Sequence, residues 1–405
     1  MQGNGDYGYQ PSSISHQLTK VKTTKRQYNA INMTLALTGV KVLDLSRVLA
    51  GPLCAMTLGD MGADVIKVER PGTGDETRGW GPPFDDRGES AYYLSVNRNK
   101  KSVAADLDSP AHRDMILRLV AESDVVVDNF RRGMLERRSI NPDELVRNHP
   151  RLIWCTITGF GKDSDRAGYD LVVQAESGWM SITGNPGDDP LRAGVALADL
   201  IAGKDAAIAI LAALAHRNAC GSDTVDPNSR RIHVSLSHSA TAALINVAQN
   251  SLVTGKDAKR WGNQHPNLVP YQLFRAADRP VIIAVGTDAQ WIACTTALDL
   301  ADLASDPVLA TNAGRLAARD RIVDKISKRV AELESHDLMN RLNGAGVPCG
   351  VVRSVLEALR DVEATPLTGI APSVPGHIRL PPPRLDEHGD EIRANGWRAF
   401  GQSPA

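Results

Sequence analysis

Four things are missing from this 405-residue sequence, and each absence closes off a class of function. There is almost no net charge: Lys and Arg balance Asp and Glu to −1, so no global field directs the protein to nucleic acid or to an anionic membrane. The five cysteines (Cys54, Cys155, Cys220, Cys294, Cys349) are scattered, odd in number and include no C-x-x-C pair. That argues for reduced thiols in a cytoplasm, and against a disulfide framework or a zinc site. No long apolar run exists either; the longest, "AAIAILAALA" at 206–215, has ten residues, about half of a membrane span. Finally, familiar catalytic signatures are lacking. There is no H-E-x-x-H and no G-x-S-x-G, and His233 and His238 are five apart, a poor spacing for one helical face, so neither a metal site nor a serine hydrolase is expected.

What remains is a composition of 42% apolar and 23% charged residues, that of an ordinary soluble globular protein. Residues 1–36 are polar, carry Lys20, Lys22, Lys25 and Arg26, and lack the apolar run of a signal peptide. They are expected to form a disordered N-terminal extension, with Met33 as an alternative start. From residue 39 the pattern turns regular. "GVKVLDLS", "ADVIKVE", "KSVAADL", "SDVVVDNF" and "RLIWCTITGF" read as buried strands, with helices at 51–62, about 109–122 and 141–148 between them. Strands alternating with helices imply right-handed crossovers and a mostly parallel sheet. The expected organisation is α/β: a large Rossmann-like domain over 37–219 and a polar linker at 220–231. A smaller α+β domain over 232–345, opening on a strand at 232–236, and a segment 346–405 that returns to the large domain complete it. The triple proline in "RLPPPRLDEHGDE" (379–391) must be extended, because proline cannot continue a helix.

Three constellations carry chemistry. The stretch "DLSRVLAGPLCAMTLGDMGADVIKVE" (44–69) has the strand-turn-helix-strand layout of a dinucleotide site, but Gly51, Gly59 and Gly62 are wrongly spaced for G-x-G-x-x-G. A nicotinamide enzyme is therefore disfavoured, while the polar loop "SRVLAGP" remains at a strand's carboxyl end, where open α/β sheets bind ligands. Basic residues recur at corresponding places: Arg70, then Arg98 and Lys100 in "NRNKKS", then Arg131 and Arg137 in "NFRRGMLERR". Singly each reads as solvated surface; together they suit a ligand with several phosphates. The third is Asp199 in "RAGVALADLIAG", where a small-residue segment turns into an apolar helix. Asp is a preferred helix N-cap, and a carboxylate so placed can also attack an activated carbonyl.

At these residues the sequence resembles the class III CoA-transferases, which include formyl-CoA transferase, the carnitine and bile-acid-inducible CoA-transferases and the α-methylacyl-CoA racemases. The resemblance runs from Gly39 to Asp390. It is carried by "VLDLSRVLAGP", "LGDMGADVIKVERPGTGDETR", "NRNKKSVAADL", "DVVVDNFRRGMLER", "GYDLVVQAESGWMSITG", "AGVALADLIAG", "GNQHPNLVPYQLF", "VPCGVVRS" and "LPPPRLDEH". It implies transfer of CoA from an acyl-CoA to a carboxylic acid through a covalent intermediate on Asp199, with CoA as substrate and no tightly bound cofactor. It implies that Val48, Leu49 and Ala50 lie along the CoA, with Tyr169 beside it. Arg70, Asn97, Asn99 and Lys100 would surround its nucleotide and phosphates, as would Asn129, Phe130, Arg131 and Arg137. It also implies a ring-shaped chain in an interlocked homodimer.

Two departures matter. Tyr169 stands where the racemase branch has a His, and a phenol with a pKa near 10 is a poor base at neutral pH, so transfer is expected over α-proton exchange. The loop that shields the intermediate in formyl-CoA transferase is glycine-rich, whereas "GNQHP" (262–266) has Gly262 alone; Asn263 and His265 are donors suited to a larger acid. A catalytically silent CoA-binding protein is disfavoured by the presence of Asp199.

Overall fold

The computed structural model describes residues 34–221 and 225–401. Residues 1–33 of the expected extension and 222–224 of the expected linker fall outside the described residues. Among the described residues, every helix and strand lies within the unit Ala36–Ala405.

Six strands, β1 (Lys41–Asp44), β2 (Asp64–Glu69), β3 (Lys100–Ala104), β4 (Val125–Asp128), β5 (Ile153–Thr158) and β6 (Arg231–Ser235), form one sheet in the order β3-β2-β1-β4-β5-β6. Every neighbouring pair is parallel. β1, β2, β4 and β5 are short, largely apolar runs buried on both faces, as a parallel sheet covered by helices requires, while the edge strand β6 is only partly buried. Side chains alternate between the faces. Val42, Val65 and Val127 face a core shared with the helices Ala50–Asp60 and Leu197–Cys220. Leu43, Ile66 and Val126 face another, shared with the helix Pro110–Ala121 and with Ile392, Trp397 and Ala399 from the chain's end. The strand order reverses between β1 and β4, which makes their carboxyl ends the natural ligand crevice.

β6 corrects one expectation. It does not open the smaller unit but completes the large sheet, pairing with β5. The polar segment before it is docked rather than free: Arg230 is buried and its guanidinium donates to the carbonyls of Val146, His149 and Leu152 at 2.8–2.9 Å. Polarity in a sequence marks a linker only when the polar groups reach water. Beyond β6 come two helices, Leu236–Ala242 and Ile245–Thr254, separated where Ile245 takes φ 44°. A second, antiparallel sheet follows: β7 (Tyr271–Arg275), β8 (Pro280–Ala284) and β9 (Cys349–Val351). Its core is built with the helices Asp288–Ala297, Arg319–Ala331 and Ser335–Gly344.

The chain then runs back over the β3 side of the large sheet. Asn99, at φ 61°, is the clasp. Its amide NH2 donates to Asp60 (2.8 Å) and to the His377 carbonyl (2.9 Å), and its oxygen accepts the N–H groups of Arg379 and Leu380 (2.6 and 2.9 Å). Arg98 adds a bidentate pair with Asp60 and bonds to the Thr368 and Ile370 carbonyls. Asn99→Ala would take this partner from the His377 carbonyl and from the Arg379 and Leu380 N–H groups, and place alanine in the left-handed region. We expect a stability loss of about 3 kcal/mol, read as a lower urea midpoint.

Candidate active site

Asp199 is the third residue of the helix Leu197–Cys220, whose N-cap is Ala196. It therefore does not cap its own helix, as its residue type suggested. Asp170, first residue of the helix Asp170–Glu176, does that from outside: its Oδ1 accepts the N–H of Ala198 at 2.7 Å. Asp199 in turn receives the backbone N–H of Ala50, the first residue of the helix Ala50–Asp60. Two helix N-termini thus converge on one carboxylate, where unpaired N–H groups and the helix dipoles favour negative charge.

That approach depends on Gly203, one turn below Asp199 on the same helix face. A Cβ there would sit 2.6 Å from the Ala50 carbonyl oxygen and 3.3 Å from Leu53. Burial raises Asp199, and the Asp170 carboxylate raises it further; the Ala50 N–H opposes them, and the balance is about 7. Asp199 is half-buried and lines a cleft of about 220 Å³.

The loop between β1 and the helix Ala50–Asp60 forms one wall, and it is held from three directions. Asn129, just past β4, grips both sides of one residue: its oxygen accepts the Arg47 N–H (2.9 Å) and its NH2 donates to the Arg47 carbonyl (2.6 Å). Asp75 accepts the Val48 N–H at 3.2 Å. Lys67 donates to the Ser46 carbonyl at 2.9 Å and pairs with Asp75 at 3.0 Å. Val48 thereby adopts φ 71°, a conformation that a β-branched residue takes only under constraint.

The structure sorts the residues singled out from sequence. Val48, Ala50, Asn129, Phe130, Arg131, Tyr169 and Asp199 border the same cleft. Arg70 borders an adjoining cleft of about 190 Å³ at the ends of β2 and β3, and Arg47 and Phe130 belong to both. Leu49 and Arg137 line neither; from the segment "NFRRGMLERR" it is Arg138 that enters the second cleft, beside Arg47, Lys67 and Arg70. Asn97, Asn99 and Lys100 are buried and line neither cleft. Lys100 is spent on Asp44 (2.8 Å), the Pro52 carbonyl and Asn97 (2.9 Å each), and Asn99 on the returning chain. "GNQHP" likewise borders a different cleft, with Gly262, Gln264 and Pro266 in its wall.

Sequence reasoning passed over Arg47, Trp80, Arg132 and Arg166 on the Asp199 cleft, and gave Asp170 no role. The i, i+4 spacing of Asp170 and Gln174 was the available signal. Among the described residues no cluster of His, Cys, Asp or Glu could hold a metal ion, and no helix is long and apolar enough to cross a membrane.

Comparison with known proteins settles the family. The model of CoA-transferase family III matches residues 37–388. The chain belongs to CoA-transferase family III. This CoA-transferase is 41% identical over 335 residues to the human succinyl-CoA:glutarate CoA-transferase, covering 82% of this chain and 75% of that one. It is 37% identical to a succinate–glutarate CoA-transferase of Agrobacterium fabrum, covering 88% and 95%. Among solved structures, a CaiB/BaiF family protein from Brucella suis superposes with a TM-score of 0.79 at 38% identity, covering 89% of this chain and 99% of that one.

Two outcomes test this geometry. Gly203→Ala should push the transferase's two helices apart, costing about 2 kcal/mol in thermal or urea unfolding and roughly tenfold in kcat. For Asp199 the sign is fixed by its raised value. Between pH 4 and 7 the folded state holds a proton that the unfolded chain has lost, so Asp199 erodes stability as pH rises, and the loss is complete above about 7. Asp199→Asn should therefore melt higher than the parent at pH 8, on the order of 2 °C, with the difference vanishing by pH 4 in scanning calorimetry.

Proposed function

We propose that this enzyme moves CoA between carboxylic acids through covalent intermediates on Asp199. The observation that carries the proposal is the convergence of two helix N-termini on a half-buried carboxyl that faces a cleft. The Asp199 carboxylate adds to the thioester carbonyl, and the C–S bond breaks. The acyl group is left as a mixed anhydride with Asp199, and CoA leaves as thiolate. The thiolate then attacks the Asp199 carbonyl of the anhydride, giving an aspartyl-CoA thioester and freeing the donor acid. The acceptor carboxylate attacks that thioester, CoA thiolate departs again, and its attack on the acceptor's acyl carbon regenerates Asp199. Thioester, anhydride and thioester are all activated acyl groups, so nothing is oxidised and no ATP or water is consumed. A carboxyl raised to about 7 is a more basic, more nucleophilic carboxylate once ionised.

We assign the CoA nucleotide to the cleft of Arg70 and Arg138, with the pantetheine passing Val48 and Ala50 toward Asp199. Of the arginines on the Asp199 cleft, Arg47, Arg132 and Arg166 pair with Glu76, Asp165 and Glu176, which leaves Arg131 to meet a second carboxylate on the substrate. With relatives named for succinyl and glutaryl transfer, this supports dicarboxylic acids as substrates. Exposed Ile208, Ile245, Leu252 and Val253 support the reading that two ring-shaped chains interlock as a homodimer; the buried thiols Cys54, Cys155 and Cys294 suit a reducing cytoplasm.

Incubation with succinyl-CoA, then hydroxylamine, should leave a hydroxamate mass on the peptide carrying Asp199, and Asp199→Ala should lose transfer by a factor of about 10³ or more. Absence of label together with full activity of that variant would refute the mechanism, and α-deuterium exchange into a 2-methylacyl-CoA would point to epimerisation instead. The rate of label formation should climb with pH and level off above about 7, as Asp199 ionises.

A further inference from the structure

Gln174 lies behind the site rather than in it. Its side chain is fully buried on the helix Asp170–Glu176, one turn from Asp170, and it borders neither cleft. Its amide oxygen accepts the N–H of Ala193 at 2.9 Å. Its NH2 donates to Asp170 Oδ2 at 2.7 Å and to the Val195 carbonyl at 3.3 Å. The amide cannot turn over, since that would set NH2 against an N–H and oxygen against two acceptors. Asp170 thus meets one donor at each oxygen, Gln174 at Oδ2 and the Ala198 N–H at Oδ1. Residues 193, 195 and 198, the approach to Asp199 and the first turn of its helix, are pinned by two side chains.

We infer that Gln174 is a positioning residue for CoA transfer: it holds the Asp170 carboxyl in place beside Asp199 and fixes the start of the helix that carries Asp199. This rests on the reading of Asp199 as nucleophile. Held in one place, the Asp170 carboxyl keeps its raising influence on Asp199. Asp199 faces Asp170 and Tyr92, and the cleft before it carries Arg47, Glu76, Arg131, Arg132, Arg166 and Tyr169. Gln174 touches none of these except Asp170 among its hydrogen bonds, so its replacement should act through Asp170 and the pinned segment alone.

The test uses the full-length enzyme with succinyl-CoA and glutarate, following kcat and KM from pH 5.5 to 9. Gln174→Leu removes the donor to Asp170. Its kcat should fall about 30- to 100-fold with the KM for succinyl-CoA within threefold of the parent, and the pH midpoint of kcat/KM should drop by about one unit. Gln174→Glu keeps the acceptor for Ala193 and can donate to Asp170 only while protonated, so its activity should be near the parent's at pH 6 and collapse toward pH 8, the reverse of the parent's trend. A Gln174→Glu profile parallel to the parent's overturns the inference, as does a Gln174→Leu enzyme with parental kcat and midpoint. Should Gln174→Leu fail to fold, as judged by circular dichroism, the Gln174→Glu profile decides alone at a pH where that protein is folded. Hydroxylamine labelling keeps the two readings apart: no label on parental Asp199 sinks the nucleophile, whereas parental label with unchanged Gln174 variants sinks only the positioning role.

Discussion

Beneath the loop that follows β1 lie two aspartates and two lysines with no solvent exposure of their side chains, and the site is built on top of them. Asp44 pairs with Lys100 at 2.8 Å and with Lys67 at 4.0 Å, and Lys67 pairs with Asp75 at 3.0 Å. Four buried charges are tolerable only when each is paired and hydrogen-bonded. Burial alone would raise Asp44, yet the two ammonium groups hold it below the usual carboxylate range. The remaining hydrogen-bonding capacity goes to the loop's backbone: Asp44 takes the Ser46 N–H, Lys67 the Ser46 carbonyl, Asp75 the Val48 N–H. Removing Lys67 leaves Asp75, which holds the Val48 N–H, buried without its ammonium partner. A buried ion network is weak evidence for stability, but here it specifies the path of a strained loop, and that loop delivers the Ala50 N–H to Asp199.

The same economy governs the other side of the site. Close approach is possible only where side chains are absent. Gly203 admits the Ala50 carbonyl, and Gly159 and Gly168 cross so tightly that a Cβ on either would meet the other's Cα within 2.4 Å. These contacts draw three segments, otherwise distant along the chain, onto one cleft. The result raises Asp199, because the geometry that supplies the Ala50 N–H also withdraws the carboxyl from water and sets Asp170 beside it. Stability and reactivity are opposed at this residue, as they commonly are where a fold stores a reactive group.

The motif "NRNKK" illustrates how a run of polar residues divides between tasks. Arg98 and Asn99 bind the returning chain, and Asn97 and Lys100 complete the buried network. Arg78 does the equivalent near β2, pairing with Glu69 and Glu89 at 2.7 Å and reaching the Pro383 carbonyl at 3.2 Å. The charged stretches that suggested a phosphate surface are therefore partly internal mortar, and the exposed cations left for ligand, Arg70 and Arg131, are fewer than the sequence implied.

By itself the sequence determined the parallel sheet, because short apolar runs alternating with helices have few other ways to bury both faces. It also marked Asp199, since a lone carboxylate between small residues and an apolar helix is a local pattern. Tertiary structure alone decided which polar side chains face water: Asn99, Lys100 and Arg230 are buried against carbonyls and carboxylates far away in the chain. It alone assigned β6 to the large sheet, through pairing with β5 some 75 residues earlier. It alone made Asp170, not Asp199, the cap of the long helix. The physical reason is common to all three. Residue type sets what a group can bond to, but burial and the choice of partner are fixed by which segments the fold brings within 3 Å.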